Sequence, residues 1–98
     1  MNERVKGKKV LITGASSGIG EFLAIHVAQE GGTPIIVART AHKLEIIAEK
    51  IEEAFGVKSP WYPADLSNDA EWEDTIDRIG YEHGSIDALI NNAGITVF

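Results

Sequence analysis

Ninety-eight residues allow a single domain with a thin core, one burying roughly 60–65% of its unfolded surface. A net charge of −6, no cysteine and an ordinary 44% share of hydrophobic residues exclude a general nucleic-acid binder, a disulfide scaffold, a thiolate metal site and wholesale disorder. The opening MNERVKGKKV is too charged for a secretion signal, and no apolar run approaches the ~20 residues of a bilayer span, so a cytoplasmic protein without a membrane partner is expected.

The segment KKVLIT (8–13) is apolar and β-branched between glycines, and reads as a buried strand. From Gly18 to about Glu30, the residues Ile19, Phe22, Leu23, Val27 and Ala28 recur at helical spacing, and Gly31 and Gly32 end that helix. PIIVA (34–38) is a second buried strand, with Pro34 tolerable at its first residue. Thr40 is placed to cap a helix carrying Leu44, Ile47, Ala48, Ile51, Ala54 and Phe55, which Gly56 stops. In KSPWYPADL (58–66) two prolines bracket Trp61 and Tyr62, as suits an edge strand. Ser67 is the expected N-cap of the next helix, whose first turns hold Asp69, Glu71, Glu73 and Asp74 and whose apolar stripe is Trp72, Ile76 and Ile79. IDALIN (86–91) is the fourth strand. Strands alternating with helices predict an α/β fold with a parallel sheet and right-handed crossovers.

The first strand-to-helix turn holds Gly14, Gly18 and Gly20 in the pattern Gly-x-x-x-Gly-x-Gly. A helix N-terminus carries unpaired N–H groups and partial positive charge, so it attracts anions. Gly14 suits a tight turn, Gly18 leaves room for a pyrophosphate against the backbone, and Gly20 allows close helix–strand packing. Backbone amides from Ser16 to Ile19 would cradle the diphosphate, with the Ser16 and Ser17 hydroxyls as donors. A nucleoside-triphosphatase loop needs Gly-Lys-Ser/Thr at its end, whereas Gly18 is followed by Ile19 and Gly20. Arg39 ends the second strand, where an NAD-binding protein usually has Asp or Glu for the ribose 2′-hydroxyl. A guanidinium binds a 2′-phosphate, and a carboxylate would repel it, so NADP(H) is expected over NAD(H), with Ser16, Ser17 and Thr40 assisting.

TGASSGIG (13–20), Arg39, ADLS (64–67) and NNAG (91–94) stand in order, each at the C-terminal end of its own strand. Together they resemble the N-terminal part of a short-chain dehydrogenase/reductase, from Lys8 onward. The resemblance implies a partial, doubly wound Rossmann-type sheet of order 3-2-1-4 with three helices, two on one face and one on the other. The cofactor crevice then lies above the first strand. It implies that Asp65 accepts from the adenine amino group, that Leu66 lies beside the ring, and that Asn92, Ala93 and Gly94 line the adenosine ribose. It also implies that the Asn91 and Asn92 amides tie neighbouring strands together. Parents that reduce fatty-acyl-carrier, steroid, sugar or small-ketone substrates all fit, 3-oxoacyl-[acyl-carrier-protein] reductases among them.

The family's catalytic Tyr, Lys, Ser and relay Asn lie beyond the NNAG strand, and Tyr62 and Tyr81 are followed four residues later by Leu66 and Ser85. No catalytic residue is therefore assigned, and the chain is expected to bind cofactor without catalysing. The alternative is a stand-alone, non-catalytic nucleotide-binding or interaction module. His26, His42 and His83 read as surface histidines, the acids from Asp69 to Asp74 as a helix start, and Trp61, Tyr62 and Trp72 as packing residues, so no metal site is expected. A bare fourth strand beside a half-covered face is expected to drive self-association.

Overall fold

The computed structural model describes residues 5–92. Strands β1 (Lys9–Thr13), β2 (Thr33–Ala38), β3 (Trp61–Pro63) and β4 (Ala88–Asn91) alternate with helices α1 (Gly18–Gln29), α2 (Ala41–Phe55) and α3 (Asp69–His83). The four strands form one parallel sheet of order β3-β2-β1-β4. The Rossmann-type α/β fold with three helices is therefore as expected.

Side chains alternate across a strand, so β1 and β2 feed two cores. Val10, Ile12, Ile36 and Ala38 face α1 and α2, meeting Ala24, Val27, Ala28, Leu44, Ile47 and Ile51. Leu11, Ile35 and Val37 point the other way, toward Tyr62, Ala64 and Ile79, with Trp72 and Ile86 packed alongside. The first two crossovers thus cover one face and the third covers the other. The second face is covered less: β4 leaves Leu89 56% exposed, and Ile79 is the only fully buried residue of α3.

Three local features differ from the sequence reading. The cap of α3 is Asn68, whose Oδ1 accepts from Glu71 N at 3.0 Å; Ser67 instead donates through N and Oγ to Asp65 Oδ1, at 3.0 and 2.7 Å. The strand expected over 58–66 is only three residues long. Pro60 and Pro63 have no N–H to give its neighbour, and the pairing with β2 is flanked by Ile36 N to Pro60 O (2.9 Å) and Ala64 N to Ala38 O (2.8 Å). On α1 the buried residues are Gly20, Ala24, Val27 and Ala28, while Ile19 and Phe22 are 64% and 66% exposed. The small residues mark the buried side because the helix axis comes close to the sheet there.

His83 is not a free surface histidine. Its Nε2 lies 2.7 Å from Tyr62 Oη, which also donates to Glu82 Oε1, and Lys9 Nζ donates to His83 O at 2.5 Å. These contacts fasten the β3 edge and β1 to the end of α3. Burial and the bond to Glu82 push the Tyr62 hydroxyl up from 10.0 to about 12. The folded state therefore holds the phenolic proton more tightly than the unfolded chain does. That stabilisation is complete below pH 10 and is lost as pH rises from 10 toward about 12. Urea titrations across this window should show stability falling more steeply in the parent than in Tyr62→Phe, which has no phenol to ionise. Equal slopes would show that Tyr62 does not couple to folding.

Candidate functional site

Parallel strands all end on the same side of the sheet, so the residues just past β1, β2, β3 and β4 converge. The register sets Thr13 opposite both Val37 and Asn91, and Ala38 opposite Pro63. Above this edge lies an open cleft of ≈ 770 Å³. Gly14, Ser16 and Ser17 line it from the first turn, Arg39 and Lys43 from the second, Asp65 and Leu66 from the third, and Asn91 and Asn92 from the fourth. Residues from all four segments thus meet in one place, while Gly18, Ile19, Gly20 and Thr40 are not among those that line it. Lys43 was not singled out in the sequence, although its position four residues after Arg39, one helical turn on, was the available signal. Ala93 and Gly94 lie outside the described residues, and Thr40 is exposed at the N-cap of α2 without a side-chain cap bond.

The glycines divide their work. Gly14 has φ +67°, a left-handed turn that other residues resist. A Cβ on Gly20 would lie 2.3 Å from Gly14 O and 2.7 Å from Ala15 Cα, so α1 rests directly on the loop backbone. A Cβ on Gly18 would meet nothing within 4 Å. That glycine is not demanded by the protein's own packing, and bare backbone faces open space at the helix tip.

Ser17 caps α1. Its Oγ accepts from Gly20 N (3.1 Å) and Asn92 Nδ2 (2.8 Å) and donates to Gly14 O (2.9 Å). This hydroxyl is committed to the loop rather than held out toward the cleft, unlike the outward donation expected of it. The N–H groups of Gly18 and Ile19, in the same first turn, have no helical carbonyl to bond and supply the positive tip. Asn92 Nδ2 also donates to Gly14 O at 3.2 Å, and Asn92 N to Thr13 Oγ1 at 3.1 Å. Thr13 Oγ1 in turn donates to Asn91 Oδ1 at 2.8 Å. The end of β4 thereby holds both β1 and the glycine loop.

Asp65 has its carboxyl held below the usual carboxylate range, first by the Ser67 hydroxyl and backbone N–H and to a lesser degree by the Arg39 charge. It stays an anion and an acceptor at neutral pH. The cleft therefore joins the turn that leads into the tip of α1, a guanidinium and a carboxylate acceptor, a set of groups that fits a dinucleotide.

Residues 8–98 match the family model described as short chain dehydrogenase. An uncharacterized oxidoreductase of Mycobacterium tuberculosis (strain ATCC 25618 / H37Rv) is 43% identical over 99 residues, covering 99% of this chain and 29% of that protein. The 11-beta-hydroxysteroid dehydrogenase-like protein 2 of Arabidopsis thaliana is 44% identical over 93 residues, covering 95% of this chain and 30% of that one. Among solved structures, L-sorbose reductase from Gluconobacter frateurii, complexed with NADPH and L-sorbose, superimposes with a TM-score of 0.88 at 33% identity, over 99% of this chain and 37% of its own. The chain spans about three-tenths of the length of these curated relatives.

Proposed function

The chain belongs to the short-chain dehydrogenase family, and on that premise we propose that it is the NADP(H)-binding region of an oxidoreductase that moves hydride between the nicotinamide and a carbonyl or alcohol carbon. The observation that carries the reading is Arg39 lining one cleft with Gly14, Ser16 and Ser17, the turn that leads directly into the open backbone at Gly18. The diphosphate would sit on the N–H groups of Gly18 and Ile19. The adenosine 2′-phosphate would meet Arg39, and the Asp65 carboxylate would accept from the adenine amino group with Leu66 beside the ring. NADPH in the L-sorbose reductase structure supports the choice of cofactor. The proton chemistry belongs to groups other than these, since neither Tyr62 nor Tyr81 has a lysine four residues on. We therefore propose that residues 1–98 bind cofactor without turning over substrate.

The test is a titration of NADPH and NADH against the chain and its Gly18→Ala variant. NADPH should bind the parent more tightly than NADH. The alanine methyl would occupy the space meant for the diphosphate, so affinity for both should fall at least about tenfold while the unfolding midpoint holds or rises slightly, alanine being the better helix former. Unchanged affinity in Gly18→Ala would sink the diphosphate placement.

A second reading concerns partners, and the exposed strand favours it. Leu89 stands 56% exposed on edge strand β4, with Ala88 beside it also exposed. We propose that the chain self-associates through this edge or the half-covered face next to it. Light scattering should show mass rising with concentration, and Leu89→Lys should suppress the rise. A monomer throughout the concentration series would count against it.

A further inference from the structure

The cleft holds a second cation that nothing so far has used. Lys43 lies in the first turn of α2, is exposed, and lines the cleft with Arg39. Its neighbours one turn away along the helix are Arg39, Thr40, Ile46 and Ile47, none of them acidic. Among the described residues the one salt bridge is Lys50 with Glu21, at 2.9 Å, and neither Arg39 nor Lys43 has such a partner. In a chain of net charge −6, whose α2 carries four glutamates further along, two cations one helical turn apart without salt-bridge partners are out of keeping with the rest of the surface. Like charges at this spacing repel, which disfavours the pair unless an anion lies between them. The start of α2 offers no local anion either: its first turn holds no acidic residue and the Thr40 side chain makes no cap bond. The first turns of α1 and α3 do carry acids, Glu21 in one and Asp69 and Glu71 in the other. The carboxylate that lines the cleft, Asp65, feels the Arg39 charge but already accepts twice from Ser67.

We propose that Lys43 is a specificity-determining residue, a second cation that with Arg39 clamps the 2′-phosphate of the cofactor's adenosine half. The inference rests on the NADP(H) reading of the cleft and extends it. The two cations divide the task by chemistry: the planar guanidinium engages phosphate oxygens through a fork and can stack on the adenine, and the ammonium supplies a point charge from one helical turn on. The phosphate dianion is then met from two sides, and the repulsion between the cations is relieved only when it is bound. Selection for the phosphorylated cofactor is stronger for that reason than one arginine would give.

Calorimetric titration with 2′,5′-ADP and with 5′-AMP isolates the phosphate from the rest of the cofactor. Lys43→Gln should weaken 2′,5′-ADP about five- to tenfold and leave 5′-AMP within about twofold, and Lys43→Arg should restore 2′,5′-ADP to within about twofold of the parent. Equal loss with both probes, or no loss with 2′,5′-ADP, would overturn the role of Lys43. Arg39→Gln separates the two levels. If it abolishes the advantage of 2′,5′-ADP while Lys43→Gln does not, the cofactor reading stands and this inference fails. If the parent shows no preference for 2′,5′-ADP, both fail.

Discussion

Gly20→Ala is expected to cost about 3 kcal/mol of folding stability, on the order of a third of what a domain of this size possesses. The added methyl carbon would sit 2.3 Å from Gly14 O, 2.7 Å from Ala15 Cα and 3.0 Å from Asn92 Nδ2. Two of these three neighbours are backbone and cannot swing aside as a side-chain tip would. The helix must move off the loop, and the Gly20 N to Ser17 Oγ bond and the Asn92 contacts with Ser17 and Gly14 go with it. Alanine's better helix propensity returns less than about 1 kcal/mol. Urea unfolding should show a clearly lower midpoint, and NADPH binding should disappear under conditions where the remaining folded fraction is still large. Gly18→Ala, two residues earlier, is the internal control for stability, because its methyl meets nothing. A midpoint in Gly20→Ala equal to the parent's would mean that α1 does not rest on the loop as described.

Arg39→Glu should reverse the proposed preference for NADP(H). Removing the charged donors to a phosphate and putting a carboxylate in their place costs NADPH roughly a hundredfold, combining lost charge-assisted hydrogen bonds with new repulsion. NADH should gain a few-fold, because a carboxylate at the end of the second strand accepts from the ribose 2′-hydroxyl. Arg39 is exposed and makes no salt bridge among the described residues, so the unfolding midpoint should move little. Arg39 helps to keep the Asp65 carboxyl ionised, and that influence is smaller than that of Ser67. Parallel loss of NADPH and NADH affinity would show that Arg39 supports the cleft without selecting the phosphate.

Where large apolar residues alternate or recur cleanly, sequence and structure agree. The β-branched runs of β1 and β2 are buried on both faces, and the stripe of Leu44, Ile47 and Ile51 is the buried side of α2. The cleft was legible for the same reason: parallel strands deliver their C-terminal ends to one edge, so motifs read separately along the chain had to converge. What escaped the sequence depends on distances between elements. In α1 the bulky Ile19 and Phe22 drew the apolar face in the wrong direction, since only contact with the sheet reveals that Gly20, Ala24 and Ala28 are small because they are close to it. Ser67 and Asn68 are both good caps one residue apart, and which one serves is decided by Asp65 engaging Ser67 first. Ser17 reads in the sequence as a donor to phosphate, whereas in the fold its hydroxyl donates to Gly14 O within the loop. Lys43 carries no motif in the sequence; what marks it is its place beside Arg39 in the lining of the cleft.

The bonds from Asn92 to Ser17 and Gly14 join residues 75 and 78 positions apart. During synthesis the whole of β2, α2, β3 and α3 must leave the ribosome before the last clamp on the glycine loop can close. A nascent chain therefore carries the sequence of its nucleotide loop long before it has the loop's final shape. Closure of that loop is thereby reserved for chains whose fourth strand has docked in register.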